Sequence, residues 1–281
     1  MFIKKIIRFF LPYGLVKVFE KVMRPASKCA ISYSGDYRDW NEARNCSVGY
    51  DAENIISKVR DATQSVIDGK AVFERDSCLF DREDYNYPLL SALLYVASQN
   101  GGNLNVLDFG GALGSTFWQN RKVLSETTKS LTWNVVEQDK FIDIAKTLRY
   151  DAPLSFYRRI EDISDLSRIN VVLCSSVLQY IENWKEIVGQ FSFCDYIIID
   201  RNPEFVDKSI SQITVQTVSP EIYSASYPLR IFSTGHWQLY FPDRALIFNW
   251  VSPVDGLYRL QDNTGKYFIF HNTGVLLKKR K

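Results

Sequence analysis

The clearest pattern in the chain is an alternation of short apolar runs with amphipathic stretches between residues 104 and 200. Short apolar runs bounded by turn residues are typical of strands that are buried on both faces, whereas apolar positions three and four residues apart are typical of helices. The pattern therefore predicts helices between buried strands. The predicted strands are 104–109, 131–137, 154–157, 170–176 and 194–200, and the predicted helices are 115–127, 139–149 and 177–190.

Continuous apolar strands separated by helices indicate a parallel sheet whose two faces are both covered, and right-handed crossovers then give a doubly wound arrangement. We therefore predict an α/β fold with a doubly wound, mostly parallel, Rossmann-like sheet. After residue 200 the rhythm changes, and the apolar runs 245–251 and 266–272 predict a terminal antiparallel pair of strands. Residues 201–235 contain three prolines and lack strong periodicity, so we expect a long irregular segment, which in many proteins carries function.

The part of the chain before residue 101 predicts a different organisation. Apolar periodicity predicts helices over 53–68 and 87–99, and residues 27–50 are polar and resemble a series of turns. We therefore divide the chain into a basic amphipathic N-terminal helical segment (1–26), a helical cap (27–100) and the sheet domain (101–281).

The N-terminal segment, 1–26, has several basic residues among apolar ones. It lacks the uninterrupted apolar core and the small-residue cleavage site of a signal peptide. Its apolar residues are interrupted by too many lysines and arginines for a bilayer-spanning helix. We expect it either to rest on an anionic membrane surface or to dock on the domain or on a second subunit. We expect the protein to be cytoplasmic, and in the first of these alternatives it is peripheral at the inner face of the plasma membrane.

Composition narrows the function classes. Apolar residues make up 46% of the chain, charged residues 23%, and the formal net charge is +2, so we expect a large core and no nucleic acid partner. The five cysteines include no C-x-x-C pair and only two histidines are present, so we expect reduced thiols and no metal site.

The segment VLDFGGALGS, residues 106–115, follows the first strand of the predicted sheet, where doubly wound folds bind their ligands. Gly110 allows a sharp turn and the close approach of a ligand to the backbone. The spacing fits D-x-G-x-A-x-G better than the dinucleotide pattern G-x-G-x-x-G. Glu137 ends the next strand, where a carboxylate can accept two hydrogen bonds from a ribose diol. Together these features predict a nucleoside site; the alternative is a tight turn without a ligand.

With this acid–glycine motif and a later strand-end acid, the chain resembles the class I S-adenosylmethionine-dependent methyltransferases. The segments ERDS, SSVLQYI, IIIDRNP and IYSASYP resemble, more narrowly, a bacterial methyltransferase family associated with surface-polysaccharide (O-antigen and capsule) gene clusters. The resemblance runs from about residue 35 to the C-terminus. It implies S-adenosyl-L-methionine as cofactor and a saccharide or lipid-linked glycan as acceptor.

The same resemblance assigns cofactor contacts. Residues of the glycine loop would surround the methionine part, the end of the second strand would hold the ribose, and Glu161 or Asp162 would replace the adenine-side acid that is Ile160 here. The expected cofactor-binding residues are Asp108, Gly110, Gly111, Gly114, Glu137, Gln138, Glu161 and Ser175.

Methyl transfer is an in-line displacement, and a hydroxyl acceptor usually needs a base, whereas an amine or carboxylate needs less help. The candidate catalytic residues are Asp200, His236 and Tyr227. Asp200 can instead form a bracing pair with Arg201, and a single histidine such as His236 is often an ordinary core or surface residue. The candidate acceptor-binding residues are Arg75, Asp76, Gln179, Tyr180, Arg201, Tyr223 and Trp237; Arg201 would bind an anion and the aromatic rings would stack on a sugar.

Two other functions are compatible with these residues. A nicotinamide-dependent oxidoreductase would use the same fold, although the glycine spacing argues against it. A non-catalytic partner of a polysaccharide synthesis complex would keep the cofactor site and use the basic segment to dock. The acceptor depends on resemblance alone.

Overall fold

A computed structural model of the protein describes residues 31–48, 52–150, 153–219, 225–253 and 255–280. The strands, in chain order, are β1 (Ile31–Tyr37), β2 (Phe73–Arg75), β3 (Cys78–Phe80), β4 (Asn103–Phe109), β5 (Ser130–Val136), β6 (Leu154–Tyr157), β7 (Val171–Ser175), β8 (Tyr196–Phe205), β9 (Gln212–Val218), β10 (Ala225–Ile231), β11 (Arg244–Val251), β12 (Leu257–Gln261) and β13 (Tyr267–Lys279). The helices are α1 (Trp40–Asn45), α2 (Ala52–Ile67), α3 (Tyr87–Gln99), α4 (Ser115–Thr127), α5 (Asp139–Ala145), α6 (Trp184–Gly189) and α7 (His236–Tyr240).

Five parallel strands form the half of the large sheet that the sequence predicts. They lie in the order β6-β5-β4-β7-β8, which is 3-2-1-4-5 when these strands are numbered along the chain. This order is that of doubly wound folds, and it reverses between β4 and β7. The predicted doubly wound, mostly parallel sheet is therefore confirmed.

Both faces of this parallel half are covered. Along β8, Ile198 packs into one core with residues of α3 and α4, whereas its neighbours Ile197 and Ile199 pack into a second core that contains Trp184 of α6. Adjacent residues of a strand point to opposite faces, so a strand buried on both sides is apolar at most of its positions. This is why the sequence of these strands contains continuous apolar runs.

The other half of the sheet is mostly antiparallel, with one parallel pair between β1 and β12, and it nearly closes on itself. Strand β13 lies beside β8 and pairs on its far side with both β11 and β12, and the sheet continues through β1 and β9 to β10. Phe232, just after β10, returns to β8: its amide donates to the Pro203 carbonyl at 2.8 Å, and its carbonyl accepts from the Phe205 amide at 2.9 Å. The result is a small barrel with an apolar interior, formed by Phe205, Leu229, Ile231, Leu260 and Phe270.

The predicted antiparallel pair is confirmed, since β11 pairs with β13, but the segment between these two strands also contains β12. The prediction of an irregular stretch over 201–235 is wrong, because this stretch contains the end of β8, strands β9 and β10 and helix α7. Strand β9 was not predicted because several of its buried side chains are polar, so it lacks the apolar pattern of a buried strand. Gln212 donates to the Gly35 carbonyl at 3.1 Å and Thr214 to the Ser34 carbonyl at 2.6 Å, so their polar groups are satisfied inside the sheet.

The predicted helical cap over 27–100 also differs from the structure. Residues 31–37 form a strand that pairs with β9 and β12, so this part of the chain belongs to the barrel with the C-terminal strands. The helix expected over 177–190 is broken into a single turn at Leu178–Tyr180 and the short helix α6. The basic segment 1–26 lies outside the described residues. Within the described ranges, no helix is long and apolar enough to cross a bilayer.

Candidate active site

A cavity of about 760 Å³ opens beyond the carboxyl ends of β4, β5, β7 and β8, at the point where the strand order reverses. This volume lies within the range of ordinary small-molecule sites, and the location is where doubly wound sheets bind ligands. The hairpin β2–β3 and the start of β10 form its outer walls. Most predicted site residues line it, namely Arg75, Asp76, Asp108, Gly110, Gly111, Glu137, Gln138, Ser175, Tyr180, Asp200, Arg201 and Tyr227.

Backbone strain is concentrated around this cavity. In the part of the chain that the structure describes, the non-glycine residues with positive φ are Asp76, Ser77, Ala112, Ser176 and Arg201, and every one of them lines the cavity. Asp76 and Ser77 form the two-residue turn of the β2–β3 hairpin, where a type I′ turn requires positive φ at both positions. Each such residue costs of the order of 1–3 kcal/mol, and strain of this kind gathers at functional sites.

The glycine loop is shaped by its own protein neighbours. A Cβ at Gly110, where φ is +72°, would lie 2.4 Å from the Val177 side chain, and a Cβ at Gly111 would lie 2.5 Å from the Asp108 carboxyl group. The missing side chain at Gly110 therefore leaves room for Val177, and Gly110 itself lines the cavity. The close approach of a ligand to its backbone stays a prediction. Gly114 is the N-cap of α4 and does not line the cavity.

Asp108 lies beneath the glycine loop and is almost completely buried. Its Oδ2 accepts a hydrogen bond of 2.9 Å from the indole Nε1 of Trp133. Burial, with a smaller contribution from the nearby charge of Glu137, raises the pKa of Asp108 to about 7, against the effect of the Trp133 hydrogen bond. At neutral pH this carboxyl group is therefore poised between its neutral and charged forms.

Glu137 joins the end of β5 to the glycine loop. Its Oε2 accepts from the Ala112 amide at 3.2 Å and its Oε1 accepts from the Gln138 amide at 2.9 Å. Burial raises its pKa, although both backbone hydrogen bonds oppose the change. A carboxylate has about four acceptor positions, so two remain for a ligand such as a ribose diol.

Asp200 lies at a bulge in β8, and its carboxylate is completely buried. It accepts hydrogen bonds from Ser175 Oγ at 3.1 Å, Asn86 Nδ2 at 3.1 Å and Trp250 Nε1 at 2.9 Å. Burial raises the pKa of Asp200, which is the direction a proton acceptor near neutral pH requires. Bulges are common beside active sites because they re-aim side chains.

Arg201 pairs with two other carboxylates rather than bracing Asp200 directly. Its guanidinium lies 3.3 Å from Asp76, on the hairpin turn, and 3.4 Å from Asp255. Both acids offset its charge, while Arg201 also lines the cavity, and its role in binding an anionic acceptor stays a prediction. The ion pair also ties the β2–β3 hairpin to the end of the sheet.

Glu74 is a cavity residue that the sequence analysis did not select. It is almost fully buried and accepts hydrogen bonds from the Ser77 amide at 3.1 Å and from the Ser115 hydroxyl. Burial raises its pKa to about 7, against both hydrogen bonds. The sequence analysis selected the neighbouring Arg75 and Asp76 instead. The residues around Glu74 contain no pattern that predicts its burial, because its strand is only three residues long.

Two tyrosines form the wall of the cavity that comes from the barrel side. Tyr180 donates from its hydroxyl to Gln216 Oε1 at 3.1 Å, and Gln216 Nε2 donates to the Tyr227 hydroxyl at 3.1 Å. The two rings meet edge to face with centroids 5.4 Å apart. Gln216, which lies on the unpredicted strand β9, thus orients both phenol groups.

Besides Gly114, four predicted residues among those that the structure describes lie elsewhere in the fold. His236 packs among Trp184, Phe232 and Tyr240, and burial lowers its pKa to about 4, so it is a core histidine and not a base in this cavity. Trp237 is completely buried in the same core. Gln179 is buried behind the cavity, between Ser176 and Asn202, and Glu161 is exposed beside Arg159. Tyr223 lies outside the described residues.

No model of a known family matches the chain, and no curated protein matches it. Solved structures do resemble it. They include the 1,6-didemethyltoxoflavin N1-methyltransferase of Burkholderia thailandensis with bound S-adenosylhomocysteine (12% identity, TM-score 0.43, 84% of this chain and 95% of that chain). Another is the N-terminal domain of EvdMO1 in the presence of S-adenosylhomocysteine and D-fucose (11%, 0.45, 83% and 98%). A third is magnesium protoporphyrin IX methyltransferase of Synechocystis PCC 6803 with bound S-adenosylmethionine (14%, 0.39, 83% and 87%).

The strand order of this chain itself establishes its doubly wound fold.

Proposed function

We propose that the protein is an S-adenosylmethionine-dependent methyltransferase. The observation that carries this proposal is the hydrogen bond between the Ala112 amide and Glu137, which joins the glycine loop to the strand-end carboxylate at the edge of one cavity. A nucleoside that enters there meets the backbone of the loop and a carboxylate with two unused acceptor positions.

The charges of the cavity support a cationic ligand. Asp108, Glu74 and Glu137 are buried or half-buried, and their hydrogen bond donors among the described residues are all neutral groups. A buried carboxylate without a cation is costly, and a cation in the cavity would offset that cost. When bound, S-adenosylmethionine supplies a methyl group activated by a positively charged sulfonium.

The roles of this chain's residues follow from their positions. Glu137 would hold the ribose and Asp108 would lie below the positively charged part of the cofactor. Asp200 and Tyr227 are the candidate bases that line the cavity and could accept a proton from an acceptor hydroxyl. Val177 and the β2–β3 hairpin would exclude water from the reacting atoms.

For the acceptor we propose a sugar or sugar-linked group of a bacterial surface polysaccharide. The motif resemblance supports this choice, and so does the wall of Tyr180 and Tyr227, because oriented phenol groups can both stack on a sugar ring and hydrogen-bond to its hydroxyls. The basic segment 1–26 would bring the protein to an anionic membrane surface where lipid-linked glycans are made. Co-sedimentation with anionic vesicles, compared for the full chain and a chain that lacks these residues, tests that contact.

Calorimetric titration with S-adenosylmethionine tests the proposed cofactor site. We expect measurable affinity in the wild type and at least a tenfold loss in Glu137→Ala, which corresponds to about 1.4 kcal/mol. Glu161→Ala is the matched control, because Glu161 is exposed and does not line the cavity, and its affinity should be unchanged.

Other results would favour the alternatives. Equal affinity in the wild type and in Glu137→Ala would remove Glu137 from the site. Binding of a nicotinamide dinucleotide in place of S-adenosylmethionine would favour an oxidoreductase. Tight cofactor binding without methyl transfer to any glycan acceptor would favour the non-catalytic assembly partner. Loss of one CH₂ per missing methyl group from surface glycans of cells without the gene would support the proposed acceptor.

A further inference from the structure

Two side chains hold the buried Asp200 carboxylate in place and can only donate hydrogen bonds to it. The Trp250 indole, which has no acceptor atom, donates to Oδ1 at 2.9 Å. The Asn86 amide donates to Oδ2 at 3.1 Å, and its orientation is fixed because its own oxygen accepts from the Leu89 amide at 3.5 Å. Both donors favour the charged form of Asp200, so the carboxylate stands ready to take up a proton.

Ser175 lies between this carboxylate and the cavity. Its Oγ donates to Asp200 Oδ2 at 3.1 Å, and the two residues are direct neighbours in the parallel register of β7 and β8. The side chain of Asp200 is completely buried, whereas Ser175 is only partly buried and lines the cavity. A hydroxyl group has one proton and two acceptor positions. Since the proton of Ser175 points to Asp200, its oxygen is available to accept a hydrogen bond from a ligand in the cavity.

The register of the parallel strands also places Ser175 beside the glycine loop. Asp108 of β4 and Leu173 of β7 are direct neighbours. Two residues further along, β7 ends at Ser175 and the other chain enters the loop at Gly110. Adjacent strands are about 5 Å apart, so the Ser175 hydroxyl lies next to the loop over which the proposed function places the cofactor.

We propose, on the basis of the function proposed above, that Ser175 and Asp200 form a relay that removes the hydroxyl proton of the methyl acceptor. The acceptor oxygen forms its bond to the methyl carbon as the bond from that carbon to sulfur breaks, and the electron pair of the broken bond stays on sulfur. The acceptor proton passes to Ser175 Oγ, and the proton that Ser175 held passes to Asp200 Oδ2. Ser175 therefore ends unchanged and Asp200 ends neutral. Asn86 and Trp250 are positioning residues for the carboxylate.

Methyl transfer to a defined glycan fraction tests the relay. The substrate is the glycan fraction extracted from cells that lack the gene, with S-adenosylmethionine labelled in its methyl group. Calorimetry first measures the affinity of each variant for S-adenosylmethionine, and transfer rates are then compared at saturating cofactor. We expect Ser175→Ala and Asp200→Asn each to lower the rate about a hundredfold or more, the usual range for a proton acceptor. Ser175→Thr, which keeps the hydroxyl group, should stay within tenfold of the wild type.

The double variant separates a relay from two independent contributions. Ser175 and Asp200 act in the same proton transfer, so the loss in Ser175→Ala/Asp200→Asn should equal that of the slower single variant within about threefold. The matched controls are Ser167→Ala and Asp165→Asn, since the Ser167 hydroxyl also donates to an aspartate but both residues are exposed and lie outside the cavity. These controls should transfer methyl groups at the wild-type rate, and a thermal melt shows whether each variant is folded.

Infrared spectroscopy gives a measurement that does not depend on turnover. The carbonyl band of a protonated carboxyl group that is absent in Asp200→Asn reports the pKa of Asp200. In Ser175→Ala this pKa should rise, because the charged form loses a hydrogen bond donor, while the charge of the adjacent Arg201 is present in both proteins. An unchanged pKa would show that the two groups are not in contact and would overturn the relay.

The outcomes of the transfer assay separate this inference from the proposed function. A rate within threefold of the wild type in Ser175→Ala, or losses that multiply in the double variant, would overturn the relay. So would a hundredfold loss in Tyr227→Phe without a loss in Asp200→Asn, because the base would then be Tyr227. In each of these cases transfer by the wild type leaves the proposed function standing. If the wild type transfers no methyl group to the fraction, the proposed function fails and the relay fails with it.

Discussion

The buried carboxyl group beneath the glycine loop gives a prediction that links stability to binding. Asp108 has its pKa raised by burial from an ordinary 3.8 to about 7. The folded protein therefore binds more protons than the unfolded chain between these values, so the contribution of Asp108 to the free energy of unfolding falls as pH rises from about 4 to about 7 and then stays low. The difference corresponds to a penalty of roughly 4 kcal/mol above pH 7.

Asp108→Asn removes this penalty. The asparagine keeps an acceptor for the Trp133 indole but carries no charge at any pH. At pH 8 we expect the variant to be more stable than the wild type by about 2 kcal/mol, less than the full penalty because the amide also has to be desolvated. At pH 5 the difference should shrink, since both side chains are then largely neutral. The variant should nevertheless bind S-adenosylmethionine more weakly, because a negative charge near the sulfonium is lost.

Urea unfolding followed by tryptophan fluorescence at pH 5 and pH 8 measures the two stabilities. The control is Asp207→Asn, at an exposed aspartate outside the cavity, which should change stability by less than about 0.5 kcal/mol at either pH. A variant that is less stable than the wild type at pH 8, or a difference that does not depend on pH, would refute the assignment of Asp108 as a destabilising buried acid.

Three further predictions concern Gly111, His236 and the protons released when the cofactor binds. Gly111→Ala should cost about 2 kcal/mol in urea unfolding, because its Cβ would lie 2.5 Å from the Asp108 carboxyl group, whereas Gly256→Ala, with nothing within 4 Å, should be nearly neutral. His236→Gln should change the methyl-transfer rate less than threefold, since His236 lies outside the cavity; a hundredfold loss in a folded variant would contradict this. Binding of S-adenosylmethionine near pH 7 should release protons, because the bound cation lowers the pKa of Asp108 and of Glu74. Calorimetry in buffers with different ionisation enthalpies measures the number of protons released. Zero release would argue against these two acids as partners of the cation.

The parallel half of the fold was predictable because short segments of the sequence carry the hydrophobic pattern of its strands and helices. Strands that are buried on both faces are rich in apolar residues, and β7 and the first half of β8 are continuous apolar runs. Helix α4 matches its predicted bounds, 115–127, because the glycine that precedes it and its apolar face both mark the helix. The acid–glycine loop and Glu137 were also local signals, and the structure brings them together at one cavity.

The barrel half was not predictable from local patterns. Strands β1, β9 and β12 are short and rich in polar residues, and what stabilises them is pairing between segments that lie far apart in the chain, such as Gln212 with Gly35. Separation along the chain also explains why the sequence analysis did not select Glu74 and Gln216. Glu74 contacts the glycine loop at Ser115, and Gln216 contacts the two tyrosines of the cavity wall, and each of these contacts joins segments that lie apart in the chain.

A crystal structure of the protein with S-adenosylhomocysteine tests the cofactor site most directly. We expect the ligand to lie over residues 110–112 in the cavity, with at least one ribose hydroxyl within hydrogen-bond distance of the Glu137 carboxylate. A structure in which the ligand binds elsewhere, or lies in the cavity with its ribose away from Glu137, would contradict the assignment of this cavity as the cofactor site.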